Sequence, residues 1–583
     1  MDFEIGQPTE IELAPQACAS CRKQKRRCDK RLPICSLCSR IGRQCDYSVD
    51  VQTASPSQED FVALRDQVSN LEQLLRGVAQ GTVLLSNTSN GGSSNDSANG
   101  SSHLSHGSSP AGLLTPNSAL TSAGQTPFPS IFFLDSSAFQ YERFQIQHPQ
   151  VKVPPGALVA LGNSAELREM IEHYFSTVHN YFPIISKIRL YQHLANPLHE
   201  PGADVALLFL AMKLACSEIP DGMPAQTQLY QDVKSFYNFV EAQNGFSVQM
   251  IQALLLIALY EIGQCIYPAA YLSVGNSARV CYATGLHDRQ APQMLPRCNT
   301  WTEQEERRRV WWGAIVLDRF IHVGHRGKPF ASPDPSLETH LPTDDASWDR
   351  GQMLVAAPLS LSASQTIRVS PFARTCQAAH LLGKVLRHMD DKQLPIDYRF
   401  GEALQLHRTM RALADVLPDE ALHDDPSLQP SLCTSMAIVY SGLLTLYDGY
   451  SCTEHSVQSG QEGGEPQLVM QKESIDGLGE ISGRCLTLAR KVRTVVDNGE
   501  IGRLSPMVVD AIYQAAANYA WYVRESSDHS CSERLFELKE LLMLLDRRWK
   551  VAGQYLFIID DFWSRKDLEP PPSRMEAERF ASA

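Results

Sequence analysis

The chain has 583 residues, 43% of them hydrophobic and 20% charged, with a formal net charge of −13. Its length accommodates several bodies with cores of their own. Its longest apolar runs, Val205–Met212 and Val248–Tyr260, fall short of the ~20 residues a membrane helix needs. Residues 1–17 are acidic and lack an apolar run, so neither a membrane partner nor a secretory leader is expected. Charge is unevenly placed: residues 18–45 hold nine Lys and Arg against Asp29 alone, a net of +8, which leaves −21 for the remainder. That contrast is the footprint of a nucleic-acid reader joined to an acidic body.

The first predicted element is a cysteine array: Cys18-Ala-Ser-Cys21, Cys28, Cys35-Ser-Leu-Cys38 and Cys45, with six residues in each remaining gap. Thiolates bind zinc in tetrahedral fours. One closed site would leave two sulfurs over, whereas two sites have eight positions, which six sulfurs fill if two of them bridge both ions. With every position a thiolate, no place remains for water or substrate, so the metal is structural and an enzyme is not expected. With no secretory leader expected, a disulfide framework is not expected either. Six thiolates and two Zn2+ ions bring the segment to about +6, still strongly basic. The other nine cysteines form no Cys-x2-Cys pair and read as small core or surface residues.

With the basic run Arg22-Lys23-Gln24-Lys25-Arg26-Arg27 inside the first half and Pro33 between the halves, the segment resembles the fungal six-cysteine binuclear zinc cluster of transcription factors. The resemblance covers all six cysteines and assigns residues 14–49 to a DNA-binding module of two short helix-loop units around the metal pair. It implies that Cys18 and Cys35 bridge, with Cys21, Cys28, Cys38 and Cys45 completing the two sites. It also implies that Lys25 is the base-contacting lysine and that a CGG-like triplet of double-stranded DNA is the target. Gln24 departs from the Arg or Lys common at that position. Arg22, Lys23, Arg26 and Arg27 are then phosphate contacts, and the same run can serve nuclear import.

A polar linker follows, and then, within residues 59–78, Phe61, Leu64, Val68, Leu71, Leu75 and Val78 recur at alternating steps of three and four. This is the a and d pattern of a parallel coiled coil, and it predicts a homodimer. Fewer than three heptads hold a helix pair weakly, so DNA or the body is expected to assist. An amphipathic helix packed on its own chain is the competing reading. Residues 79–127 turn to Ser, Asn, Gly and Thr, a composition that predicts a disordered linker. The aromatic cluster Phe128, Phe132, Phe133, Leu134, Phe139, Tyr141 and Phe144 comes next. It reads as a segment folding back onto the body, in preference to a surface for a coactivator or corepressor.

From residue 160 to 563 the pattern is helical, with no run of alternating strands. Ser164 is positioned to cap a helix with Leu167, Met170, Ile171, Tyr174, Phe175 and Val178 on one face. Helices are expected around Asp204–Cys216, Thr227–Ala242 and Val248–Tyr260, and another from near Ala269. Thr302-Glu-Gln-Glu305 has the form of a capping box, opening a helix through Arg307–Arg309, Trp311-Trp312 and Asp318-Arg319. These residues, with Gly327-Lys328-Pro329 and Leu341-Pro342, resemble the fungal-specific transcription factor (middle homology) domain across roughly 165–345. The resemblance implies an all-helical regulatory domain.

His322 and His325 lack a third ligand and read as structural, and Asp318 and Arg319 as an ion pair locking the helix. Arg307–Arg309 read as partners of acidic residues. Further on, helices are expected over Ala373–Met389 and Arg399–Leu417, a polar loop over Ser451–Glu473, and a closing core helix at Tyr555–Trp563 rather than an acidic activation motif.

The chain as a whole reads as mainly α: a small zinc module, a short coiled coil, a disordered linker and a large helical domain. Together they predict a nuclear, sequence-specific regulator of RNA polymerase II transcription. A scaffold or effector-binding protein whose zinc module docks a protein is the alternative.

Overall fold

A computed structural model describes residues 14, 16–23, 28–47, 130–142, 150–195, 202–220, 222–324, 327–353, 358–364, 366–391, 394–423, 429–451, 464–526 and 529–563. The chain divides into two units, Met1–Gly112 and Leu113–Ala583. The expected coiled coil at 59–78 and linker at 79–127 lie outside the described residues, as do Lys25, Arg26, Arg27 and His325.

The first unit contains two short helices, α1 (Ala19–Lys23) and α2 (Ser36–Arg40). In the second, α3 (Ser130–Leu134) and α4 (Ser136–Glu142) bring Phe132 and Phe139 edge to face, 5.1 Å between centroids. Both pack with Met294 against Phe246. The aromatic segment thus folds back onto the body, although Leu134 and Tyr141 stay exposed; Phe128 and Phe144 are outside the described residues.

The body continues through α5 (Pro155–Leu161), α6 (Ser164–Ser176), α7 (Lys187–Ala195), α8 (Ala203–Cys216), α9 (Gln228–Ala242), α10 (Val248–Gly263), α11 (Ala269–Ala283) and α12 (Trp301–Phe320). After the short α13 (Asp345–Asp349) come α14 (Pro371–Asp390), α15 (Ile396–His423), α16 (Gln429–Ser451) and α17 (Gly464–Asp497). The last helices are α18 (Val508–Ser526), α19 (His529–Asp546) and α20 (Lys550–Ile558). Among the described residues there is no strand; His340 and Ser360 form an isolated antiparallel bridge.

One apolar cluster runs from Ala157 to Ile559. Two helices lie at its heart. In α10 every residue except Gln249 is buried, and the helix packs on α8, α11 and α12. In α16 the segment Pro430–Ser451 is long and apolar enough to cross a bilayer, but its residues 430–447 are buried within the protein, against α14, α15, α17 and α18. Its composition is that of a helix buried on all sides.

Local chemistry moves several expected boundaries. Asn163, rather than Ser164, caps α6: its Oδ1 accepts from the backbone N–H of Ala165 and Glu166 at 2.9 and 3.0 Å, and Glu166 accepts in return from Asn163 N–H at 3.2 Å. Thr300, rather than Thr302, caps α12, its hydroxyl accepting from Glu303 N–H at 3.2 Å. Glu305 is instead buried, bound to Arg309 Nε at 3.0 Å and to Thr343 N–H at 2.8 Å. Helix α15 continues past Pro418, and beyond it Glu420 is held by buried Arg374, whose Nε donates to Oε2 at 2.9 Å. The expected loop at 451–473 is helical from Gly464, where burial of Met470 outweighs the polar composition; residues 452–463 are outside the described set. The stretch expected to form a closing core helix, Tyr555–Trp563, is the end of α20 and a π-helical turn; Ile559 is buried, whereas Phe557 is exposed.

Two glycines in helices give opposite expectations. A Cβ on Gly263 would lie 2.3 Å from the ring of buried Trp549, whereas one on Gly479 would meet nothing within 4 Å. Gly263→Ala is expected to cost about 1–3 kcal/mol and Gly479→Ala to add about 0.5–1 kcal/mol, read from urea midpoints. Burial, and after it the Lys384 charge, pushes the His380 imidazole down to about 4. The unfolded chain therefore takes up this proton first, so the His380 contribution is complete at pH 7 and is lost as pH falls from about 6.5 to about 4. His380→Asn should flatten the acid limb of a stability–pH curve; an unchanged slope would refute the assignment.

Candidate metal centre

The two halves of the cysteine array fold alike. Cys18 immediately precedes α1, and its Sγ accepts from Cys21 N–H at 3.4 Å. Cys35 is the N-cap of α2, and its Sγ accepts from Cys38 N–H at 3.4 Å. A Cys-x2-Cys pair thus straddles the first turn of each helix, where backbone N–H groups face negative sulfur. Cys18, Cys21, Cys35 and Cys38 are buried, and Cys28 and Cys45 are partly so.

The sulfurs form two groups of four, Cys18, Cys21, Cys28 and Cys35, and Cys18, Cys35, Cys38 and Cys45, with all atoms of a group within 4.8 Å of one another. Cys18 and Cys35 belong to both. Sulfur separations are 3.9 Å for Cys18–Cys35 and 3.7 Å for Cys18–Cys38 and Cys21–Cys35. A zinc tetrahedron with bonds of about 2.3 Å has edges of about 3.8 Å, so the donor set fits the metal. Burial, and after it hydrogen bonding among the sulfurs, pushes the Cys21 thiol up, and likewise Cys38 up to about 12. At neutral pH such sulfurs are held as thiolates by a cation.

The loop between the halves is tied by residues that the cysteine spacing does not reveal. Asp29 Oδ1 accepts from Ser36 N–H at 3.0 Å, and the Ser36 hydroxyl, also donating to Asp29, holds that carboxyl below its usual range. Tyr47 donates to the Arg31 carbonyl at 2.9 Å and lies 3.9 Å from Cys28 Sγ. Ser20 donates to the Gln44 carbonyl at 2.8 Å. The one signal available was that Asp29 is the single acid in a basic segment. Arg22 and Lys23 sit on α1, and Lys30, Arg31 and Arg40 are exposed.

The helical body holds no comparable ligand group among the described residues. His322 Nδ1 lies 2.6 Å from the Asp318 carbonyl oxygen. The Asp318 carboxylate accepts from Arg319 Nη1 at 2.6 Å and from Ser332 N–H at 2.8 Å, while Arg319 donates to the Ser332 and Pro333 carbonyls at 3.0 and 2.8 Å. The pair fastens the 331–333 loop to α12. Arg308 pairs with Glu305, and buried Arg309 bridges Glu305 and Asp345, at 3.0 and 2.7 Å; Arg307 donates to the Pro296 carbonyl.

Zinc uptake by the full chain is expected to release protons and to weaken as pH falls from about 7 to 5. A chelator should abolish the signals of residues 14–47 while sparing the body's helical circular dichroism. Retention of the module's signals in metal-free protein would refute the metal-dependent fold.

Residues 16–54 match the fungal Zn(2)-Cys(6) binuclear cluster domain, and residues 171–398 match the fungal specific transcription factor domain. The chain is 35% identical to transcription factor BOA15 of Botryotinia fuckeliana over 30% of its own length and 98% of that protein. It is 25% identical to transcription factor tazR of Aspergillus terreus, covering 79% and 85% of the two chains, and 25% identical to the citrinin biosynthesis transcriptional activator mrl3 of Monascus ruber, covering 66% and 75%. With an N-terminal module that binds two zinc ions and a helical domain of the matching kind behind it, the chain belongs to the fungal Zn(2)-Cys(6) transcription factors and is a transcription regulator rather than an enzyme.

Proposed function

We propose that the protein is a nuclear, sequence-specific DNA-binding regulator of RNA polymerase II transcription that reads CGG-like triplets as a homodimer. The observation that carries this reading is the pair of sulfur groups sharing Cys18 and Cys35. Cys18 and Cys35 bridge two zinc ions, Cys21 and Cys28 complete one site, and Cys38 and Cys45 the other. Arg22 and Lys23 lie on α1, in a segment of net charge +8. Lys25 reads guanine edges in the major groove, Arg22, Lys23, Arg26 and Arg27 hold phosphates, and Phe61, Leu64, Val68, Leu71, Leu75 and Val78 form the dimer seam. The names of mrl3 and of pigB, a pigment biosynthesis transcriptional activator of Monascus ruber, support a target set of genes for the synthesis of small molecules.

Bridging sets a stoichiometric test. The unsubstituted chain should carry two zinc ions; Cys18→Ala or Cys35→Ala should lose both, and Cys28→Ala or Cys45→Ala only one. Equal losses at all four positions would refute bridging. In gel shifts with the full chain, Lys25→Ala should forfeit about 1–3 kcal/mol of preference for the triplet. Arg27→Ala should weaken all sequences alike and lower the salt dependence. Indistinguishable effects of the two substitutions would overturn the assignment. If no triplet is enriched from a random pool of duplexes, the protein-docking scaffold is favoured instead.

A further inference from the structure

The helical body contains a cavity of about 470 Å³ that the transcription-factor reading leaves unused. It lies where the end of α10, the start of α11 and the end of α12 meet α18 and α20, so segments far apart in sequence form its walls. Its size falls among small-molecule sites, which span roughly 300–1,000 Å³.

The lining is mostly apolar, with four tyrosines, Tyr267, Tyr271, Tyr513 and Tyr555. Tyr513 and Tyr555 are stacked, 4.1 Å between centroids and 13° between planes, and so present one rigid aromatic wall. Two charged groups break the apolar surface. Asp510 is only 3% exposed, and its two hydrogen-bond partners are neutral: the Tyr555 hydroxyl at 3.1 Å to Oδ1 and Gln514 Nε2 at 2.6 Å to Oδ2. A carboxylate accepts at about four positions, and a buried one gains most from a further donor. Lys328 is exposed, its Nζ 4.8 Å from the centre of the Tyr271 ring. It supplies a cation on the same lining. Cys265, also on the wall, has a left-handed backbone (φ 56°), the kind of local strain found around ligand sites.

We infer that this cavity binds a small, flat, predominantly apolar molecule that carries a hydrogen-bond donor for Asp510 and an anionic or carbonyl oxygen for Lys328. Rings of such a molecule match the stacked tyrosine wall. Because the walls come from both the 171–398 segment and the last helices, an occupied cavity ties the two together and stabilises the folded body by mass action.

1-Anilinonaphthalene-8-sulfonate has this chemistry: fused rings, one N–H and one sulfonate. Titrated into the full chain, it should bind saturably at about one dye per chain and raise the melting temperature. Val551→Trp, which fills the cavity, should weaken binding at least tenfold, and Asp510→Asn and Lys328→Ala several-fold each. A folded Val551→Trp protein that binds the dye like the unsubstituted chain overturns the inference. A second measurement needs no substitution. Saturating dye should slow alkylation of Cys265, read by mass spectrometry, at least tenfold while leaving Cys298 unaffected; an unchanged Cys265 rate overturns the inference whatever the variants do. Neither assay contains DNA, so the outcome is independent of the triplet reading.

Discussion

Thiolate sulfurs 3.7–3.9 Å apart repel one another. At an effective dielectric constant near 20 each ionised pair costs about 4 kcal/mol, and only cations placed among them turn the arrangement into a bound one. The N-terminal module has little else to fold around: its buried cluster consists of Cys18, Cys21, Cys35 and Cys38, with Cys28, Leu37, Cys45 and Tyr47 partly buried against it. Metal binding is therefore expected to be coupled to folding here. The rest of the module is arranged to hold the sulfurs in place. Backbone N–H groups of two short helices point at Cys18 and Cys35, and the Asp29–Ser36 and Tyr47–Arg31 bonds fix the loop that separates the halves.

The helical domain solves a different problem. Its apolar surface suffices for a continuous core, and several polar groups buried with it are bonded across chain segments. Glu306 accepts from Ser186 N–H and Gln252 Nε2, both at 2.9 Å, and Arg309 donates to the Thr343 carbonyl at 2.8 Å while lying 4.2 Å from the Trp348 ring. Removing one member would strand a charge away from water. These bonds give the core a specific register that apolar contact alone does not provide, and they account for an arginine-rich stretch on α12 that faces inward partners as well as solvent.

The pocket on this body is open to solvent at Tyr267 and Lys328 and reaches inward to buried Asp510. Here the gap coincides with a left-handed cysteine, a stacked tyrosine pair and a buried carboxylate with neutral partners. A regulator assembled this way has one end whose shape is set by metal and another whose stability responds to what fills it.

What the sequence determined by itself was whatever depends on short separations. The cysteine array spans 28 residues, and its ligand count follows from the coordination number of zinc. The helices follow from apolar periodicity, and the basic run from composition. Caps were legible only to within one or two residues, since Asn163 and Ser164, or Thr300 and Thr302, offer equivalent oxygens and only the backbone path selects between them. Tertiary structure alone decided that a polar stretch after Gly464 is helical, that α15 runs through Pro418, and that the helix most like a membrane span is packed into the core. It alone assembled the cavity, whose walls lie more than two hundred residues apart between Ile262 and Pro506. Burial is a sum over the whole chain, and no local window of residues contains it.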